Sequence, residues 1–148
     1  MISEDMETEY RLGCEAYSRE DYATALERWK PIAIQGHSKA QYHPGSLYEQ
    51  GHGASQDDEE AVRWFRLAAE QGDADAQFAL GENYLTGKGV PRAVLAATKW
   101  YIRAFENRHS PAGGRLDEVF YFGSPDYITE AKEALSRERA ERSGRGES

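Results

Sequence analysis

The chain of 148 residues holds a single cysteine, Cys14, only two methionines, and no apolar run approaching 18 residues. One cysteine excludes an intrachain disulfide, and with it the usual mark of oxidative secretion. Without a long apolar run no segment reads as a membrane-spanning helix. The opening stretch MISEDMETEY is acidic where a signal peptide is basic and then apolar. Bases are also in deficit: 18 Lys and Arg against 26 Asp and Glu give a formal charge of -8. Nucleic acid phosphates would be repelled by such a surface. These absences predict a cytoplasmic protein that binds neither nucleic acid nor membrane, and whose partner is a basic or neutral protein or peptide. The acidity is uneven, with fourteen acids and seven bases in residues 1–72 but four acids and five bases in 73–108, so electrostatic steering favours the N-terminal half.

What the chain does contain is one spacing, used repeatedly. Ala40, Ala76 and Ala112 lie 36 residues apart, as do Tyr48, Tyr84 and Phe120, and Gly51, Gly87 and Gly123. A period of this size marks supersecondary units stacked in a row, each burying its apolar face against its neighbours. From Gly36 and from Gly72 the sequence reads as two copies of one module. Ala40/Ala76, Pro44/Leu80 and Tyr48/Tyr84 recur at four-residue steps and share one face of a first helix. Gly51 and Gly53, then Gly87 and Gly89, punctuate the module where unusual backbone angles are needed. A second helix follows Ser55 or Pro91 and carries Ala61, Trp64, Ala68 and Ala69, matched by Ala97, Trp100, Ala104 and Phe105. Small residues facing Trp allow close helix packing, which places the three tryptophans in the core.

An earlier unit matches less well: Tyr10, Leu12 and Gly13 align with Tyr42, Pro44 and Gly45, its inter-helix turn is about four residues shorter, and Trp29 falls one place away from the later Trp positions. A later unit keeps Ala112, Leu116, Phe120 and Gly123 but loses the Trp, and its second helix, from about Asp126 to Ala140, runs into the charged string SRERAERSGRGES. A polar terminal helix is what a repeat array needs as a cap. The chain therefore reads as one domain over 1–141, with units at about 4–35, 36–71, 72–107 and 108–141, and a flexible tail over 142–148.

Residues 76–89, AQFALGENYLTGKG, and 61–69, AVRWFRLAA, carry a spaced pattern close to A-x-x-x-L-G-x-x-Y-x-x-G-x-G, then about eight residues, then A-x-x-W-x-x-x-A-A. In this the chain resembles the Sel1-like repeat family, a relative of the tetratricopeptide repeat, with the full pattern over roughly 36–107. The resemblance implies an all-α, right-handed α-solenoid of about four helix-turn-helix repeats with a C-terminal capping helix. It also implies an adaptor or scaffold role, often in bacterial signalling, secretion or stress. No catalytic residues belong to the pattern. A secreted branch pairs cysteines between helices, which Cys14 alone cannot do. Pro44 stands where the family has Leu, so the first helix of that unit is expected to kink or to begin late.

The remaining chemistry is sparse. His37, His43 and His52 lie within 16 residues, but they do not fall on one face, and no Cys-x-x-Cys or His-Glu-x-x-His accompanies them. They read as surface histidines, and neither metal, cofactor nor catalytic residue is assigned. The acids from Asp57 to Glu60 read as helix capping rather than as a docking patch.

One set stands off the core stripe. Tyr10, Tyr42 and Phe78 occupy equivalent places on the first helices, with Cys14, Ser46 and Glu82 one turn further on. First helices line the concave side of stacked hairpins, so these six residues form the expected partner-binding row. The reading that follows is a non-enzymatic interaction module, one version being a bacterial immunity or chaperone-like protein. The alternatives are a histidine-based metal-dependent enzyme or regulator, and a structural unit assembling end to end through the VFYF segment at 119–122.

Overall fold

The computed structural model describes residues 4–122 and 126–146, with side chains at 120–122 outside the description. Among the described residues there are eight helices and no strand: α1 (Glu4–Ser18), α2 (Tyr22–Ile34), α3 (Ser38–Gln50), α4 (Asp58–Glu70), α5 (Ala74–Thr86), α6 (Val94–Glu106), α7 (Ser110–Phe122) and α8 (Asp126–Gly144). Through α7 each helix packs on the next in sequence, which is the order of a stack of hairpins. The starts of α3, α5 and α7, and those of α4 and α6, keep the 36-residue step.

Local chemistry sets the ends of these helices. Asp57 and Asp73 cap α4 and α5 by accepting the N–H of Glu60 and Ala76 at 3.0 and 2.8 Å, so Asp57 acts as the cap expected of its acidic run. Gly51 and Gly87 end α3 and α5 in the left-handed region, at φ 71° and 74°. The second glycine of each turn has a different duty. A Cβ on Gly53 would lie 2.6 Å from the Tyr22 backbone carbon, and one on Gly89 2.3 Å from the Asp58 carbonyl oxygen. The turn of one unit thus lies against the start of the second helix of the unit before it. In the first unit the connection is only 19–21, which has no such glycine.

Each hairpin is closed by an aromatic ring laid on a glycine. A Cβ on Gly13, Gly45 or Gly81 would come within 2.7 Å of the ring of Trp29, Phe65 or Tyr101, respectively. Trp29 is thereby in the same role as Phe65 and Tyr101, 36 and 72 residues on, and not a displaced counterpart of Trp64. Trp64 and Trp100 face the other way: Trp64 joins the apolar cluster of Trp29, Ala33, Ala40 and Leu47, and Trp100 that of Val62, Ala69, Ala76 and Leu80. They tie a unit to the one before it.

Polar contacts repeat with the same period. Gln41 and Gln77, both buried, donate from Nε2 to the carbonyls of Ala33 and Ala69 at 3.0 and 3.1 Å, adding a second donor to carbonyls that also accept the N–H of Gly36 and Gly72 at the ends of α2 and α4. Lys30 and Arg66 reach the hydroxyls of Tyr48 and Tyr84 in the following unit at 2.9 and 2.7 Å.

Two expectations are corrected here. The first helix of unit two does not begin late at Pro44: α3 starts at Ser38, in register with Ala74 of α5, and runs unbroken with Pro44 buried in the slot that Leu80 fills in the next unit. Tertiary packing holds the helix through the one backbone hydrogen bond that proline cannot make. The other concerns the C-terminus, where helix continues to Gly144, past the point at which a tail was expected. Of the VFYF segment, only the Val119 side chain falls among the described residues, and it is buried. The assembly edge proposed for the other three lies outside them.

Helix α8 packs chiefly on α6 and only slightly on α7. Ala131 and Leu135 join Ile102 in an apolar cluster. Glu138 accepts from Lys99 and Arg103, and Glu106 pairs with Arg139. Burial opposes ionisation of Glu138, but the Lys99 and Arg103 charges outweigh it and hold its carboxyl below the usual range.

Candidate functional site

The six residues of the row lie on α1, α3 and α5, and all of them are half-buried. Their aromatic members are packed more firmly than the sequence suggested. Tyr10 stacks on His37 of the next unit at 4.9 Å, and Phe78 stacks on His109 at 4.7 Å and lies 5.7 Å from Tyr101. Tyr42 lies 5.5 Å from Phe65. Each ring is therefore wedged beside the closing ring of its own hairpin, leaving one side open. Each of these rings takes part in packing within the stack. Cys14 lies beside Tyr10; burial first, and then the hydrogen bond to the Cys14 side chain, push the Tyr10 hydroxyl up to about 12. Ser46 accepts a long 3.5 Å contact from Gln50.

The histidines are not surface groups, with the exception of His52, which is exposed and stacks on Tyr22 at 4.6 Å. His37 is 1% exposed and caps α3, its Nδ1 accepting the Ala40 N–H at 3.3 Å while Nε2 faces Glu7 Oε1 at 3.2 Å. That pairing recurs 72 residues on from His37, where His109 Nε2 lies 3.2 Å from Asp75 Oδ1. His43 stacks on Trp29 at 4.5 Å, and burial lowers its pKa. Aromatic packing and capping thus account for His37 and His43. Among the described residues no group of three or more His, Cys, Asp or Glu is placed to hold a metal ion.

Between α3 and α5 the row opens into a cavity of about 380 Å³. Tyr42 and Phe78 supply its rings, and Glu49, Asp75 and Glu82 its carboxylates, against one ammonium, that of Lys88. Burial, followed by Asp75 and Asp73, raises the Tyr42 hydroxyl pKa. Glu82 is fixed from two sides. Tyr101 donates its hydroxyl to Oε1 at 2.6 Å, and the Arg115 guanidinium of α7 grips the carboxylate through Nε at 2.7 Å and Nη2 at 3.0 Å. Behind them Asn83, 2% exposed, spends Nδ2 on the Lys88 carbonyl at 2.9 Å, and its Oδ1 has no hydrogen-bond partner. The sequence reading brought Tyr42, Phe78 and Glu82 to this cavity but missed Glu49, Asp75, Asn83 and His109. A signal for His109 was available: His37, Asp73 and His109 keep the 36-residue step at the start of successive first helices.

A stack of helical hairpins, each packed on the next, defines an α-solenoid. The Sel1 repeat model matches residues 38–73 and 74–109, so the chain carries two Sel1 repeats. Among solved structures it is similar to a protective antigen of uropathogenic Escherichia coli displaying an SLR fold, at 35% identity and TM-score 0.77, over 80% of this chain and 26% of that one. It is also similar to a Sel1 repeat protein from Oxalobacter formigenes, at 34% identity and TM-score 0.73, over 77% of this chain and 47% of that one. The chain thus spans about a quarter and about half the length of these two relatives. Cysteine rich protein B of Helicobacter pylori shares the fold, with TM-score 0.61 and 18% identity over 78% of this chain and 98% of that one. No curated protein matches the chain at a significant level. Sel1-repeat proteins are generally protein-interaction scaffolds and typically not enzymes. Among the described residues no helix is long and apolar enough to cross a membrane.

Proposed function

We propose that the chain is a non-enzymatic adaptor that binds a basic or neutral protein segment along the row of Tyr10, Cys14, Tyr42, Ser46, Phe78 and Glu82. The observation that carries this reading is the cavity between α3 and α5, where two rings of the row and three carboxylates line one opening instead of being absorbed into the core. Half-open aromatics flanked by charge are the features of an anchoring patch. The single thiol suits a reducing compartment such as the cytoplasm, and the bacterial origin of the three similar structures supports a bacterial setting.

The test uses a peptide selected from a random library against the full chain. Ser46→Arg, on the row, is expected to weaken that peptide about tenfold or more, whereas Leu67→Arg, at a 43% exposed site on α4, leaves affinity within about twofold. Both variants should keep the wild-type melting midpoint. Loss of binding in the Leu67 variant alone would move the site to the second helices and refute the row.

A further inference from the structure

We infer that the cavity between α3 and α5 receives an arginine side chain of the bound segment, an inference that rests on the row being the binding face. Its lining carries three carboxylates, Glu49, Asp75 and Glu82, against the single ammonium of Lys88. Asp75 is partly spent on His109 and Glu82 on Arg115, while Glu49 lines the same cavity from α3. Asn83 also lines the cavity, its side chain held in one orientation because Nδ2 is committed to the Lys88 carbonyl. A ligand suited to such walls is rich in donors and has no acceptor. Guanidinium has five N–H donors in a planar fork and no acceptor, and its plane also stacks on aromatic faces such as those of Tyr42 and Phe78.

The protein already shows how Glu82 handles this group. Arg115 approaches it through two nitrogens, at 2.7 and 3.0 Å, while the Tyr101 hydroxyl, 2.6 Å away, holds the carboxylate in place. An ammonium would satisfy the point charge but neither the fork nor the stacking. Arg115 lies at the position that Ala79 occupies one unit earlier, so it is a feature of the last unit laid over the acid of the one before. It acts as a resident occupant with which an incoming arginine shares or exchanges the carboxylate.

Two probes test this on the full chain: peptides selected from a random library, and N-acetyl-arginine amide titrated by NMR beside N-acetyl-lysine amide. Selected peptides are expected to carry arginine, and its replacement by lysine to weaken them about tenfold. Glu49→Gln should weaken arginine peptides several-fold, while Arg115→Ala, by releasing Glu82, should strengthen them. The small amide should shift the Tyr42 and Phe78 ring signals, and the lysine amide should do so markedly less. Peptides that lose binding with Ser46→Arg yet tolerate lysine, or lack arginine, would overturn the guanidinium inference and leave the row intact. Peptides indifferent to Ser46→Arg would overturn both. A failed selection together with an arginine amide that shifts neither ring would overturn the inference.

Discussion

The hairpin of α5 and α6 and the pair α7 and α8 solve the packing problem differently. In the first, Gly81 leaves room for the Tyr101 ring, and the two helices meet closely along their length. In the second, the equivalent places are Asp117 and, seven residues into α8 as Tyr101 is into α6, Glu133, so the α7 backbone has a side chain where the ring would rest, and no ring is supplied. Helix α8 instead lies on α6, where Ile102 offers an apolar seat and Lys99 and Arg103 meet Glu138. One glycine and one aromatic per unit, not the Trp, therefore decide whether a hairpin closes. The same difference sets α8 apart from the second helices before it.

Removing the ring should break the contrast most sharply. Tyr101→Ala, at a fully buried site, is expected to cost ~3 to 5 kcal/mol, whereas Glu133→Ala at the corresponding, exposed place in α8 should stay within ~0.5 kcal/mol in urea unfolding. A smaller effect is expected at the glycine. Gly81→Ala would place a methyl 2.6 Å from the Tyr101 ring, which must move, at about 1 to 3 kcal/mol. Asp117→Ala should change stability little, being exposed. Equal costs at 81 and 117 would mean that hairpin closure does not depend on this contact.

Pro44 sharpens the comparison between units two and three. With Leu80 filling the same buried place in α5, Pro44→Leu should restore one backbone hydrogen bond and raise the midpoint by the equivalent of ~1 to 2 kcal/mol. A lower midpoint would show that the pocket at Pro44 has been shaped around the ring. The smallest effect expected is one of pH. Burial lowers the His43 pKa, with the Asp73 charge opposing, so the unfolded chain binds this proton more readily than the folded one. The stabilising contribution is present above the ordinary histidine pKa of about 6.5 and is lost as pH falls through the lower folded value. His43→Phe should flatten that part of the thermal midpoint profile between pH 7 and pH 5, and an unchanged slope would assign it to other groups.

The array was legible because its period is written in small residues and glycines, whose spacing survives even where neighbours change. What escaped was anything set by contact across the stack. Trp29 looked displaced because tryptophans were aligned with tryptophans, although the ring that matters is Phe65 or Tyr101 in the later units. The buried state of His37 follows from Tyr10 and Glu7, which lie 27 and 30 residues before it in sequence. The path of α8 depends on Ile102 and on a missing glycine, neither of which its own sequence reveals. At the candidate site, Tyr42, Phe78 and Glu82 share a helix face and were found by that periodicity. Glu49 and Asp75 sit at other places on their helices and meet them only because α3 and α5 line one cavity.

The central claim is that the open face of the first helices, not the outer face of the second, receives the partner. Hydrogen–deuterium exchange of the full chain with and without a selected peptide tests it most directly. Added protection should concentrate in α3 and α5 around Tyr42, Ser46, Phe78 and Glu82, with α4 and α6 unchanged beyond any global stabilisation. Protection confined to α4, α6 or α8, with α3 and α5 exchanging as in the free protein, would contradict the account.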